Sequence, residues 1–124
     1  MTNQYDYVGT IFKDETDPAK ITVALTMANQ AAVAGNSAAL ILMIDAVYWA
    51  KPGSLQGMDI GAPFKPAQEL LDSFLAHGGK ILVCGSCMVH NGVAKESIDP
   101  RYEVITAEDV VNLLLASKGG LQIS

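Results

Sequence analysis

Two stretches of the chain are apolar at every position rather than at alternate ones. The longer is Ala38-Ala39-Leu40-Ile41-Leu42-Met43-Ile44, and the shorter is Ile81-Leu82-Val83, between Lys80 and Cys84. A strand covered on both faces has no wet side on which to carry polar residues. Unbroken apolar runs of this length therefore predict parallel strands at 38–44 and 80–84. Tyr7-Val8-Gly9-Thr10-Ile11-Phe12 predicts a first strand, Tyr102-Glu103-Val104-Ile105 a fourth, and Leu121-Gln122-Ile123 a short fifth.

Between these runs the period changes. Ile21, Leu25, Ala28 and Ala32 recur at helical spacing. Asp17 supplies an N-cap, Pro18 the first helical position, and Gly35-Asn36 a stop. A second helix is predicted over 66–76, burying Leu70, Leu71, Phe74 and Leu75. His77 follows it as a C-terminal cap favoured by the helix dipole. A short helix over 86–91 ends at Gly92. Thr106 and Asp109 form a capping-box pattern for a last helix running to about Ser117. The regular β-α alternation predicts one domain over 1–124 of the α/β class: a three-layer α/β/α arrangement around an open, mainly parallel sheet of about five strands.

Residues 46–65 break the rhythm. They hold three glycines and two prolines among Val47, Tyr48, Trp49, Leu55, Met58, Ile60 and Phe64. A long connection rich in apolar residues predicts a lid, a subunit contact, or both. Tyr48 and Trp49 are expected in such packing rather than in substrate stacking.

Composition narrows the class. A chain of 124 residues can enclose one core. Only 17% of its residues are charged, below the ~25% of a typical soluble domain. The shortage predicts apolar surface covered by another subunit, hence a homo-oligomer. A net charge of −5 with no basic stripe argues against direct nucleic-acid binding. No apolar run is long enough to span a membrane, and the polar Met1-Thr2-Asn3-Gln4-Tyr5-Asp6 start lacks the features of a signal peptide. A cytoplasmic protein is expected. There, two cysteines point to catalysis, redox chemistry or metal binding before a structural disulfide. No phosphate-binding glycine pattern follows the first strand, so no nucleotide cofactor is expected.

Both cysteines lie in Val83-Cys84-Gly85-Ser86-Cys87-Met88, where the third strand passes into the short helix. Open parallel sheets bind ligands at the carboxyl ends of their strands. Cys84 and Asp45 both fall at such ends, and Asp45 is a candidate for shaping the site. A thiol at a helix start meets backbone N–H groups that favour the thiolate. Gly85 leaves room for close approach, and His90 lies near the face of Cys87. Four readings remain open on these residues. Cys84 can carry a persulfide. Cys84 and Cys87 can form a C-x-x-C dithiol pair, although the thioredoxin fold places such a pair earlier in its strand series. Cys84, Cys87 and His90 offer at most three zinc ligands where a closed site takes four, so no metal is expected. Both thiols can also be plain core residues.

Lys80-Ile81-Leu82-Val83-Cys84-Gly85-Ser86-Cys87-Met88-Val89-His90-Asn91-Gly92-Val93 resembles the DsrE/DsrF-like family of small sulfur-relay proteins. In many members a strand ends in a cysteine, a short helix follows, and a glycine stands eight residues after that cysteine, as Gly92 follows Cys84. The first strand, the Asp17-Pro18 helix start and Ile105-Thr106-Ala107-Glu108-Asp109 are similar to the family as well. The resemblance implies a persulfide on Cys84, a homo-oligomer (trimer or hexamer), and persulfide donor and sulfur acceptor proteins as partners, in sulfur oxidation or tRNA thiolation. Cys87 would help release the sulfur or line the pocket. Gly85, Ser86, His90 and Asp45 would support the site. Many relatives carry a basic residue before the glycine, where this chain has His90-Asn91.

Overall fold

The computed structural model describes residues 4–124, so the expectation for the chain's polar start lies partly outside the described residues. Five strands form one sheet: β1 (Tyr7–Ile11), β2 (Ala38–Leu42), β3 (Lys80–Cys84), β4 (Glu103–Ile105) and β5 (Gln122–Ile123). Their order is β4-β3-β2-β1-β5, and every pairing is parallel. Four helices connect them: α1 (Pro18–Val33), α2 (Ala67–Ala76), α3 (Gly85–Asn91) and α4 (Ala107–Ala116). The chain steps outward from β1 to β4. It then returns through α4 to lay β5 against the free edge of β1.

The apolar runs sit where their patterning requires. All five residues of β2 are buried, and the register sets Leu40 of β2 beside Gly9 and Ile81. One face of the sheet packs Ile11, Leu40, Leu42, Ile81 and Val83 against α1 and α2, including the predicted stripe of Ile21, Leu25, Ala28 and Ala32. The opposite face packs Val8, Ala39, Ile41, Leu82 and Ile105 against Val110 and Leu113 of α4. Two apolar clusters on the two sides of one sheet make this a three-layer α/β/α domain. Each fully buried Leu or Ile contributes about 1.5–3 kcal/mol by leaving water, so β2 and its neighbours carry much of the stability.

The helix boundaries follow from local chemistry. Asp17 caps α1 by accepting from the Lys20 N–H at 3.4 Å, and Pro18 opens the helix. Thr106 and Asp109 complete the capping box of α4 in both directions, at 3.0 and 3.1 Å. His77 caps α2, with Nδ1 2.8 Å from the Ser73 carbonyl.

The first part of the 46–65 connection belongs to the core. β2 ends at Leu42, and Ile44–Trp49 form a 3-10 turn. Trp49 is fully buried within the α1/α2 cluster, together with Ala46, Val47 and Leu55. Its Nε1–H donates to the Lys13 carbonyl at 3.1 Å, which satisfies the one polar group of the ring. Residues 46–50 and Leu55 close the end of the α1/α2 core, while most of 51–65 stays exposed. The buried apolar residues are irregularly spaced because they fill a gap rather than one face of a regular element.

Candidate active site

β3 delivers Cys84 to the carboxyl edge of the sheet, and α3 begins at the next residue. Gly85 makes that abrupt change possible. A Cβ there would lie 3.2 Å from both the Ile105 carbonyl oxygen and Val104 Cγ1, so the group that approaches Gly85 is β4 itself. At the other end Gly92 adopts a left-handed φ of 70° and stops the helix. The Val93 N–H folds back onto the Met88 carbonyl at 2.9 Å. The segment between the two glycines is a seven-residue helix packed against the Ile44–Trp49 turn.

Cys84 and Cys87 are both free thiols, Cys84 buried and Cys87 half-buried. Cys87 lies in the first turn of α3, three residues after Cys84, and its thiol feels that neighbour. Burial pushes the Cys87 thiol above its ordinary pKa, the contact with Cys84 adds to that, and negative charge on Cys84 adds again. The backbone N–H of Ile44 pulls weakly the other way. Cys87 therefore holds its proton more firmly than an ordinary thiol.

Ile44 deserves its place in the site for a backbone reason. It is a β-branched residue with φ 57°, a left-handed conformation that costs on the order of 1–2 kcal/mol. Asn91 holds it there. Its Nδ2 donates to the Ile44 carbonyl at 3.1 Å and to the Cys87 carbonyl at 3.0 Å. The Tyr48 hydroxyl donates in turn to Asn91 Oδ1 at 3.1 Å. One side chain thus ties the last turn of α3 to the turn after β2, across the two thiols.

The remaining candidates lie at the periphery. Asp45 and Ser86 are exposed and make no side-chain hydrogen bond among the described residues. His90 is exposed in the last turn of α3, without a hydrogen bond to either thiol. Cys84, Gly85 and Cys87 are the sequence candidates the fold brings together. Asn91, Tyr48 and Ile44 were missed as site residues. The one available signal was the position of Asn91, a short amide beside a helix-ending glycine and four residues after Cys87. Among the described residues no group of three His, Cys, Asp or Glu side chains converges to hold a metal ion. None of their helices is long and apolar enough to cross a membrane.

A parallel three-layer α/β domain with a buried cysteine where a central strand meets a short helix defines the class. The chain belongs to the DsrE/DsrF-like family, a family of sulfur-relay proteins, whose model matches residues 7–122. Its fold is similar to the crystal structure of the ychN protein from E. coli, with a TM-score of 0.63 over 94% of this chain and 96% of that one. The two sequences are 18% identical, so that likeness concerns the fold. No curated protein matches the sequence.

Proposed function

We propose that this protein is a cytoplasmic sulfur carrier that holds a persulfide on Cys84. The supporting observation is the placement of Cys84 at the carboxyl end of β3, directly before α3, with the Cys87 thiol in the first turn of that helix. The first N–H groups of a helix lie close to a sulfur so placed, and the thiolate is the nucleophile of sulfur exchange. In the loading step the Cys84 thiolate attacks the terminal sulfur of a donor persulfide. A sulfur–sulfur bond forms on Cys84, the donor's sulfur–sulfur bond breaks, and the donor leaves as a thiolate that takes up a proton. Transfer to an acceptor thiolate is the same exchange in reverse.

Cys87 also supplies a release route. Cys87 gives up its proton and its thiolate attacks Cys84 Sγ, hydrosulfide leaves and takes up a proton, and the two cysteines become a disulfide that an external thiol must reduce. A dithiol oxidoreductase would use the same pair without the carried sulfur, and the contact between the two thiols favours it as the second reading. Asp45, Ser86 and His90 would meet the donor or acceptor at the rim. The exposed apolar row of α4 (Val111, Leu114 and Leu115) suits a homo-oligomeric contact, with Leu115 80% exposed.

Intact-mass spectrometry after incubation with a low-molecular-weight persulfide tests the carrier reading. One added sulfur atom is expected on the wild type and none on Cys84→Ser. No addition to the wild type, or undiminished addition to Cys84→Ser, would sink it. A reversible Cys84–Cys87 disulfide without any stable persulfide would instead support the oxidoreductase.

A further inference from the structure

α3 has a second side, away from the Ile44–Trp49 turn. There a cleft of about 450 Å³ lies between the helix and the end of β4. Met88, Val93, Val104 and Ile105 give it apolar walls, and Ser86, Thr106 and Lys95 are its polar lining residues. No carboxylate lines it. Lys95 has no ion-pair partner among the described residues, although the chain carries a net charge of −5. The cleft also occupies the carboxyl ends of two adjacent parallel strands, where sheets of this class accept ligands.

We propose that this cleft binds a small organic monoanion, an apolar ring or chain bearing one acidic group. The volume falls within the ~300–1,000 Å³ of small-molecule sites. The walls favour an apolar body, because transferring it from water releases its hydration at no cost in lost hydrogen bonds. The unpaired ammonium favours one negative charge, and no carboxylate lines this cleft, although Glu96, Asp99 and Glu103 line an adjoining one that Lys95 also borders. A dianion or a sugar would leave charge or hydroxyls unsatisfied against Met88, Val104 and Ile105. Gly85 and Ser86 adjoin Cys84, but neither thiol lines the cleft, so loss of dye binding and loss of persulfide loading can be told apart.

A fluorescence titration with anilinonaphthalenesulfonate, an apolar ring system carrying one sulfonate, tests the proposal on the intact chain. Saturable binding at one dye per chain is expected. Lys95→Glu should weaken it by about tenfold, the usual worth of one charge-assisted contact. Ser86→Trp, which fills the mouth of the cleft from an exposed position, should abolish it. The uncharged analogue phenylnaphthylamine should bind the wild type about tenfold more weakly and Lys95→Glu no differently from the wild type. Cys84→Ser should bind the dye as the wild type does. Absence of saturable binding, or equal binding by wild type and Lys95→Glu, would overturn the proposal. Binding that survives Ser86→Trp would place the dye elsewhere and overturn it as well.

Discussion

Asn91 Nδ2 stands 3.1 Å from the Ile44 carbonyl, and this one hydrogen bond joins the helix that carries Cys87 to the left-handed residue just after β2. The two residues are 47 positions apart in sequence. Their contact makes the geometry of the thiol pair a property of two neighbouring strand ends rather than of the C-x-x-C segment alone.

Asn91→Ala should therefore loosen the site. It removes donors to two carbonyls and an acceptor for Tyr48. The expected loss is about 1–2 kcal/mol, since each hydrogen bond contributes roughly 1 kcal/mol net and the site is partly wet. Denaturant unfolding measures it. An unchanged midpoint would mean that the amide does not hold Ile44 in place. Tyr48→Phe should cost less, because it removes a single hydrogen bond.

The Cys87 thiol should respond to its neighbour. Burial and the Cys84 contact raise the Cys87 pKa, so Cys87 alkylation should rise with pH later than that of an ordinary thiol. In Cys84→Ala the contact and the charge disappear while burial remains, so the Cys87 profile should move to lower pH. The linked stability has a definite sign. A raised folded-state pKa gives stability that is present below the unfolded thiol value of about 8.5 and is lost as pH climbs through the folded value. Mass-resolved alkylation at a series of pH values reads both profiles. A Cys87 profile that does not move in Cys84→Ala would disprove the coupling.

Asp99 and Arg101 provide an acid-side counterpart beyond the site. The Asp99 carboxylate is almost fully buried and receives Arg101 Nε at 3.0 Å and Nη2 at 2.7 Å, with the Arg101 backbone N–H at 2.9 Å. The guanidinium hydrogen bond is the main reason that this carboxyl sits below its usual range. Its stability is therefore present above the unfolded value of about 3.9 and lost as pH falls through the lowered one. Arg101 is half exposed, so solvent screens the pair. Arg101→Ala should cost about 1–2 kcal/mol at neutral pH and move acid unfolding to higher pH. Circular dichroism along an acid titration would show whether the midpoint moves.

The uncovered face of α4 should matter to assembly rather than to folding. Leu115→Lys places a charge where a large apolar side chain already meets water in the single chain, so the domain should fold normally. Light scattering after size exclusion should then show a smaller particle than the wild type. Identical masses for the two proteins would remove α4 from the contact.

Much of this architecture was legible in advance. Unbroken apolar runs can only be strands covered on both sides, and β2 and β3 lie inside the sheet for that reason. The Ile21–Ala32 stripe and the Thr106–Asp109 box are local patterns, and they hold because nothing distant opposes them. Trp49 read as lid or interface packing because a single aromatic in an irregular stretch has no period to reveal its direction. Its burial depends on the space left beyond α1 and on the Lys13 carbonyl, both remote in sequence. The 3-10 turn at Lys95–Ser97 was likewise invisible, and with it the arrival of Lys95 beside Ser86.

By itself the sequence determined the alternation of strands and helices, the two-sided burial of the central strands, and Cys84 at a strand end. These follow from periodicity and from the fixed reach of one residue to the next. Tertiary structure decided which partners surround that cysteine. Only the pairing of β2 with β3 brings Ile44 and Tyr48 to Asn91, and only the pairing of β3 with β4 sets Gly85 against Ile105. A hydrogen bond between residues 47 apart depends on how the whole sheet is ordered, and no local pattern carries that information.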